Sequence, residues 1–151
     1  MLRSRLVVAT LVAGTVLMFA CGRNPDGYKV SDLKALPEAN LLVPGSEILS
    51  RGEDAGSRWV PSGTSIRFIA GAQVTTEEVF DYYKSELEKR GWKGAGSLSS
   101  PEDLYAASWR SGDFGLALKI PDKSKSPGPT SWNGWTTVYQ IIISTQRKKS
   151  N

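Results

Sequence analysis

The feature that most constrains the fold is a change in hydrophobic periodicity along the chain. In the segment TTEEVFDYYKSELEKRGW, residues 75 to 92, the apolar positions that recur at the spacing of one helix face are Val79, Phe80, Tyr83 and Leu87. After this segment, apolar residues alternate with small or polar ones, which is the two-residue period of strands. The sequence therefore predicts an α+β fold in a single small domain, with an antiparallel meander sheet and one long amphipathic helix, over about residues 75 to 90, packed on one face.

Both ends of the predicted helix carry local signals. Thr75 and Glu78 form a capping box, in which hydroxyl and carboxylate satisfy backbone N–H groups at the helix start. Gly91 can adopt the left-handed conformation that ends a helix, and Trp92 can then fold back on it. Residues 77 to 92 also resemble a segment of small extracytoplasmic domains of bacterial envelope proteins, where a helix with paired tyrosines ends in Gly-Trp before a strand. This resemblance supports the fold and implies no chemical activity.

The strands are predicted from runs with a two-residue period bounded by turn residues. These runs are residues 47 to 51, 65 to 70, 105 to 111, 114 to 121 and 136 to 146. The polar loop RGEDAGS is expected at the end of the first run, and a turn at Gly112 is expected to join the third and fourth runs into a hairpin. In the last run, Tyr139, Ile141 and Ile143 share a face, so we expect that face to lie in the core.

The first 21 residues have the pattern of an export signal. Arg3 and Arg5 form a short basic region, and residues 6 to 20 form an uncharged apolar run of the length expected in a signal peptide. This run is shorter than the about 20 residues that a membrane-spanning helix needs. The sequence Met18-Phe19-Ala20-Cys21 resembles the lipobox of bacterial lipoproteins. The resemblance implies cleavage before Cys21 and alkylation of its thiol by diacylglycerol, which would make the membrane a partner.

Cys21 is the one cysteine in the chain, and two other interpretations of it stay open. It could belong to a signal sequence that carries no lipid, or it could be a small buried core residue. Lipidation is favoured because Cys21 directly follows the apolar run, where it is poorly placed to join a core. Two or more acyl chains hold a soluble domain stably on a membrane. We therefore expect the protein to be lipid-anchored at the extracytoplasmic face of the cell membrane, or at the outer membrane of a cell that has two membranes.

The predicted chain has four parts. They are a lipoprotein signal peptide (1 to 20), a lipid-anchored tether (21 to 37), an α+β domain (38 to 146) and a basic tail (147 to 151). The tether is predicted because residues 22 to 37 contain glycine, proline and charged residues, and Pro37 would stop any helical turn there. The tail contains Arg147, Lys148 and Lys149. A short basic terminus of this kind is solvated, or is attracted weakly to anionic lipid headgroups.

The chain contains no histidine, which excludes Ser-His-Asp and Cys-His nucleophiles and the usual zinc sites. The sequence has no phosphate-binding or dinucleotide-binding glycine motif and no calcium loop of alternating acids. No cofactor or metal ion is therefore expected. The net charge is only +4, and Arg3 and Arg5 leave with the signal peptide, so no nucleic acid partner is expected either. Carboxylate pairs are the one catalytic option left, so a small hydrolase acting on envelope glycans is the alternative function.

The loop PDKSKSPGPTSWNGWTT, residues 121 to 137, has the composition of a binding site. It combines Lys123 and Lys125 with Trp132 and Trp135, and aromatic rings beside cations can stack on sugars or hold anionic groups. The other interpretation is that a tryptophan covers the end of the core while the lysines keep the loop soluble. We expect a non-catalytic, lipid-anchored module that binds an envelope protein or glycan through its sheet or through this loop.

Overall fold

A computed structural model describes residues 27–56, 63–94, 97–98, 104–125 and 128–146. They form one small domain around a six-stranded antiparallel sheet, which confirms the predicted single domain and its antiparallel sheet. The strands are β1 (Glu47–Asp54), β2 (Ser65–Ala72), β3 (Lys93–Gly94), β4 (Leu104–Ser111), β5 (Phe114–Pro121) and β6 (Thr137–Thr145). The helices are α1 (Val30–Lys34), α2 (Thr76–Lys89) and two short 3₁₀ turns, Pro37–Asn40 and Thr130–Trp132. Within these described ranges, no helix has both the length and the apolar character that crossing a bilayer requires.

The strand order across the sheet is β1-β2-β6-β5-β4-β3, so the predicted meander is correct for β3 to β6 and wrong for β2. β2 pairs with β6 and not with the strand that follows it in the sequence. The physical reason is α2, which follows β2 and returns the chain at the far edge of the sheet, where β3 begins. β4, β5 and β6 then fill the sheet back towards β2. The predicted β4–β5 hairpin is confirmed, with its turn at Gly112.

One face of the sheet, which we call the core face, carries most of the buried apolar side chains. Those from the central strands include Phe68, Trp109, Leu116, Leu118, Ile141 and Ile143. From α2, Val79, Tyr83 and Leu87 are buried as well. The Tyr83 ring contacts the Tyr139 ring of the core face at a centroid distance of 5.7 Å. The prediction that the face of β6 carrying Tyr139 lies in the core is confirmed.

The local signals at both ends of α2 are confirmed. The backbone N–H of Glu78 donates to Thr75 Oγ1 (3.2 Å), and the backbone N–H of Thr75 donates to Glu78 Oε2 (2.8 Å). At the other end, Gly91 adopts a φ of +79°. The N–H of Trp92 then donates to the carbonyl of Leu87 (2.9 Å), and the Trp92 side chain is buried. The helix therefore begins and ends where its own sequence predicts.

β1 continues to Asp54, past its predicted end at Arg51. Its last residues, predicted as part of a polar loop, pair with β2 as far as Asp54 opposite Ser65. β1 is an edge strand, and charged side chains are favourable there because they stay in water while the backbone pairs. The polarity of these residues therefore hid the strand in the sequence.

The packed part of the chain begins before residue 38, the predicted start of the domain. The Tyr28 hydroxyl donates to Asp113 Oδ2 (2.8 Å), and the Tyr28 ring contacts the Phe114 ring at a centroid distance of 5.2 Å. Leu33, in α1, is fully buried. Because these side chains bury apolar surface on the domain, the later half of the predicted tether packs as part of it. The predicted lipid site Cys21 and the tail 147 to 151 lie outside the described residues.

Candidate binding face

The face of the sheet opposite the core face, which we call the outer face, carries partly exposed apolar and cationic side chains. Successive residues of a strand point to opposite faces, so these side chains alternate with the core residues. Those on the central strands are the exposed Arg67 and the half-buried Ile69, Ala117, Lys119, Gln140 and Ile142. The strand register places Ile69, Gln140 and Lys119 in one row across the face. The next row consists of Arg67, Ile142 and Ala117.

The two tryptophans of the loop between β5 and β6 lie against glycines. Trp135 packs on Gly71 of β2, so closely that a Cβ atom at position 71 would overlap the indole ring. Trp132 packs on Gly128 in the same way. Both tryptophan side chains are half-buried. Each ring therefore packs on the protein with one side and keeps part of its surface in solvent. The packed side fits a tryptophan that covers the protein, and the solvent-facing part fits a binding loop.

The predicted cations of the loop have different surroundings. The Lys123 ammonium donates to the backbone carbonyls of Trp132 (3.1 Å) and Trp135. Lys125 forms an ion pair with Asp122 (3.9 Å). The structure thus brings Lys123 together with both tryptophans, but the contact is with their backbone carbonyls, so Lys123 stabilises the loop backbone. A role for Lys123 in holding an anionic ligand does not follow from this geometry.

Side-chain hydrogen bonds also fix the second half of the loop to the segment between β2 and α2. Gln73 Nε2 donates to the carbonyl of Gly134 (2.7 Å), and the Thr136 hydroxyl donates to Gln73 Oε1 (3.0 Å). The Thr137 hydroxyl donates to the carbonyl of Val74 (2.6 Å). These bonds and those of Lys123 hold the tryptophan rings in place at one end of the sheet.

A small apolar cavity lies where the loop meets the outer face. Its volume is about 110 Å³, and its lining includes Ile69, Leu104, Pro121, Trp132 and Val138, together with Lys119 and Gln140. This volume is below the roughly 300–1,000 Å³ of typical small-molecule sites. It is also below the ~150 Å³ of a cavity that accommodates benzene. The cavity therefore has the size for one aliphatic side chain.

Four cavities formed by the described residues bear on the alternative hydrolase function. One beside β1 (about 340 Å³) contains Glu53, and one beside the start of α2 (about 220 Å³) contains Asp122. The lining residues of these two include no second carboxylate, and those of the other two cavities include none. Ser124 donates two hydrogen bonds to Asp122, which lowers the pKa of that carboxyl. Glycoside hydrolysis needs two carboxyl groups roughly 5 to 9.5 Å apart, so these cavities give the hydrolase no support.

Sequence reasoning identified the loop residues and predicted the sheet as a second possible binding surface, but it named no residue of the outer face. The signal was present in the strands, because any alternation that points Phe68 and Ile141 into the core points Ile69 and Ile142 away from it. Isoleucine at such positions, where polar residues are common on a sheet face in water, indicates that this face is more apolar than usual.

The described residues contain no group of three or more Cys, His, Asp or Glu side chains placed to hold a metal ion. No family model, curated protein or solved structure matches this chain.

Proposed function

We propose that the protein is a lipid-anchored, extracytoplasmic binding module that recognises an envelope protein on its outer face. The observation that carries the proposal is the placement of half-buried Ile69 and Ile142 on a sheet face that also borders the cavity lined by Trp132. In this proposal α2 acts as the long amphipathic helix that covers the core face. The outer face is then the side of the sheet left for a partner.

A protein partner fits this face better than a glycan does. Apolar side chains set among polar and cationic ones are common in protein interfaces, and aliphatic or aromatic anchors of a partner fill small apolar pockets. The cavity beside Trp132 has the size for such an anchor. A sugar would instead stack on a well-exposed ring, and both tryptophan side chains are half-buried, which leaves little ring surface for stacking. A glycan is therefore kept as an alternative outcome of the test.

The membrane anchor in this proposal is the lipid on Cys21. It is supported by the resemblance of Met18-Phe19-Ala20-Cys21 to a lipobox and by the short apolar run before it. Two experiments test it in the protein's own host. The intact mass of the mature protein should equal that of the chain from Cys21 plus its lipid. The Cys21→Ser variant should lose the lipid and its processing; a lipid-free mass of the unmutated protein would contradict the anchor.

Photo-crosslinking in living cells tests the binding face with the full, processed chain. A photoreactive phenylalanine is placed at Ile142, in the centre of the outer face, and in a second variant at Asp81, which is exposed on α2. We expect a discrete protein adduct from position 142 and none from position 81. An adduct sensitive to glycosidases would identify a glycan partner. Adducts from position 81 alone, with none from 142 or from the neighbouring position 69, would contradict the proposal.

A further inference from the structure

The charges and cavities of the outer face indicate the chemistry of its partner. We propose that the partner presents an acidic segment, in which a carboxylate forms an ion pair with Lys119 and neighbouring apolar side chains enter the two cavities that border this lysine. This inference rests on the proposed binding role of the outer face. It adds the composition of the partner segment, which the proposed function leaves open.

Cations outnumber acids on the outer face. The strand register places four basic side chains there, which are Arg67, Lys93, Arg110 and Lys119. The acids that the register of the described strands places on this face are Glu47 and Asp54, and both belong to the edge strand β1. The strands from β2 across to β3 therefore contribute only positive charge to this face, within the described ranges.

These four cations have no ion-pair partner among the described residues. The ion pairs of that part of the chain involve other basic side chains, namely Lys34, Lys89, Arg90 and Lys125. A carboxylate of a partner would therefore compete with no internal ion pair at the outer face. Complementary charge steers association and selects the partner, so this face favours an acidic surface.

The opposite side of the sheet has the reverse charge balance. There α2 contacts the core face through Tyr83 and Tyr139. Its acids exceed its bases, with Glu77, Glu78, Asp81, Glu86 and Glu88 against Lys84 and Lys89. An acidic partner segment is thus attracted to the outer face and repelled by α2, which gives the partner one side of the domain to bind.

Lys119 is the cation that borders both cavities of the outer face. It lines the cavity of about 110 Å³ beside Trp132. It also lines a second cavity of about 240 Å³ over β4 and β5, together with Ala106, Ser108 and Ala117. Lys119 is half-buried, and an ion pair is stronger where water is partly excluded than at a fully exposed site. A carboxylate bound to Lys119 therefore lies between two cavities.

The two cavities favour a protein segment over other anions. Their volumes of about 240 and 110 Å³ are below the roughly 300–1,000 Å³ of typical small-molecule sites. Small pockets beside a charged anchor are instead filled by single side chains at protein interfaces. Anionic polymers and lipid headgroups supply the negative charge but no apolar side chain for the cavities. The combination is matched by a segment that carries both.

Ile142 is placed to report on the same bound segment. It lies opposite Ala117 in the strand register, and Ala117 lines the second cavity. Gln140, two residues before Ile142, lies opposite Lys119. A partner captured by a photoreactive residue at position 142 is therefore next to the site in which its carboxylate would contact Lys119.

Zero-length crosslinking tests for the carboxylate directly. A carbodiimide joins an amine and a carboxylate as an amide, with loss of one water molecule, where the two groups are in contact. It is applied to cell envelopes that contain the full, processed protein. In the digested complex we expect mass spectrometry to find Lys119 Nζ joined to an Asp or Glu side chain. That side chain should belong to the protein that the photoreactive residue at position 142 captures.

Two substitutions of Lys119 separate its charge from its other properties. Lys119→Arg keeps the positive charge but has no amine, so the amide link should disappear while the photo-adduct at position 142 persists. Lys119→Met keeps an unbranched side chain without the charge and should lower the yield of the photo-adduct by roughly tenfold. Lys84→Met, on α2, is the matched control and should leave the yield unchanged.

The outcomes distinguish this inference from the proposed function. A photo-adduct of full yield in Lys119→Met would overturn the acidic segment and leave the binding face intact. So would amide links to the captured protein that come from other lysines and not from Lys119, and this result needs no variant to fold. A captured lipid or anionic polymer would also overturn it. No adduct from position 142 or 69 would be a failure of the proposed function, and of this inference with it.

Discussion

The hydroxyl of Tyr28 donates a 2.8 Å hydrogen bond to Asp113, a residue 85 positions later in the chain. This contact joins the segment that follows the predicted lipid site to the turn between β4 and β5. The carboxylate of Asp113 is also the main reason that the pKa of Tyr28 is raised, because the hydrogen bond stabilises the protonated phenol.

Replacing Tyr28 by phenylalanine should release the amino-terminal segment without unfolding the domain. The ring contact with Phe114 can persist, but the bond to Asp113 is lost, so we expect trypsin to cleave after Lys29 several times faster through local opening. Tyr105→Phe, at the other end of the sheet, is the matched control. An equal cleavage rate in Tyr28→Phe and the unmutated protein would show that this bond does not hold the segment.

The Gly71→Ala variant should displace Trp135. A Cβ at position 71 would overlap the indole ring, and such overpacking costs about 1 to 3 kcal/mol of the free energy of unfolding. Gly134→Ala, in the same loop, is the control, because its Cβ has no atom within 4 Å. ¹⁹F NMR of protein labelled with 5-fluorotryptophan should show the Trp135 resonance shifted in the first variant only. A shift of equal size in both variants would contradict the observed packing.

Lys123 should act through the loop backbone. In Lys123→Met the carbonyls of Trp132 and Trp135 lose their donor, so we expect a loss of about 1 to 3 kcal/mol in the free energy of local opening of the loop. Hydrogen exchange of the amides of residues 132 to 136 measures this with no partner present. Lys125→Met is the control, since Lys125 is exposed and forms an ion pair with Asp122. Equal exchange rates in the two variants would show that Lys123 does not stabilise the loop.

Alkaline unfolding should depend on Tyr83. Burial raises its pKa well above the ordinary value of 10.0, and its hydroxyl donates to the carbonyl of Leu41 (2.8 Å). A raised pKa in the folded state means that the stabilisation is complete below pH 10 and is lost as the pH rises above it. Tyr83→Phe should lower the free energy of unfolding at pH 7 by about 1 to 2 kcal/mol and reduce its decline above pH 10. Urea titrations at pH 7 and above pH 10 check this; an equally steep decline in the variant would be inconsistent with it.

The sequence predicts α2 and its ends well because the signals are local. Thr75 and Glu78 are close enough in the chain to form the cap alone, and Gly91 ends the helix through its own backbone freedom. The hairpin at Gly112 is predicted for the same reason. Each of these features needs only residues that are near one another in the chain.

The features that the sequence does not predict depend on distant partners. No residue near Tyr28 in the chain indicates that it packs on the domain, because its partners Asp113 and Phe114 belong to the β4–β5 hairpin. The pairing of β2 with β6 depends on where α2 returns the chain. The support of the tryptophan loop by Lys123 depends on a loop conformation that composition does not determine. The local pattern of Lys123 and Trp132 therefore suggested a ligand site, whereas their contact is internal.

Binding of a partner at the outer face is tested most sharply by comparing two charge reversals in the crosslinking experiment. Lys119, on the outer face, and Lys84, on α2, are both half-buried lysines. With the photoreactive residue at position 142, we expect Lys119→Glu to lose the adduct and Lys84→Glu to keep it. An adduct of equal yield in both variants, or one lost only in Lys84→Glu, would show that the partner does not bind at the outer face.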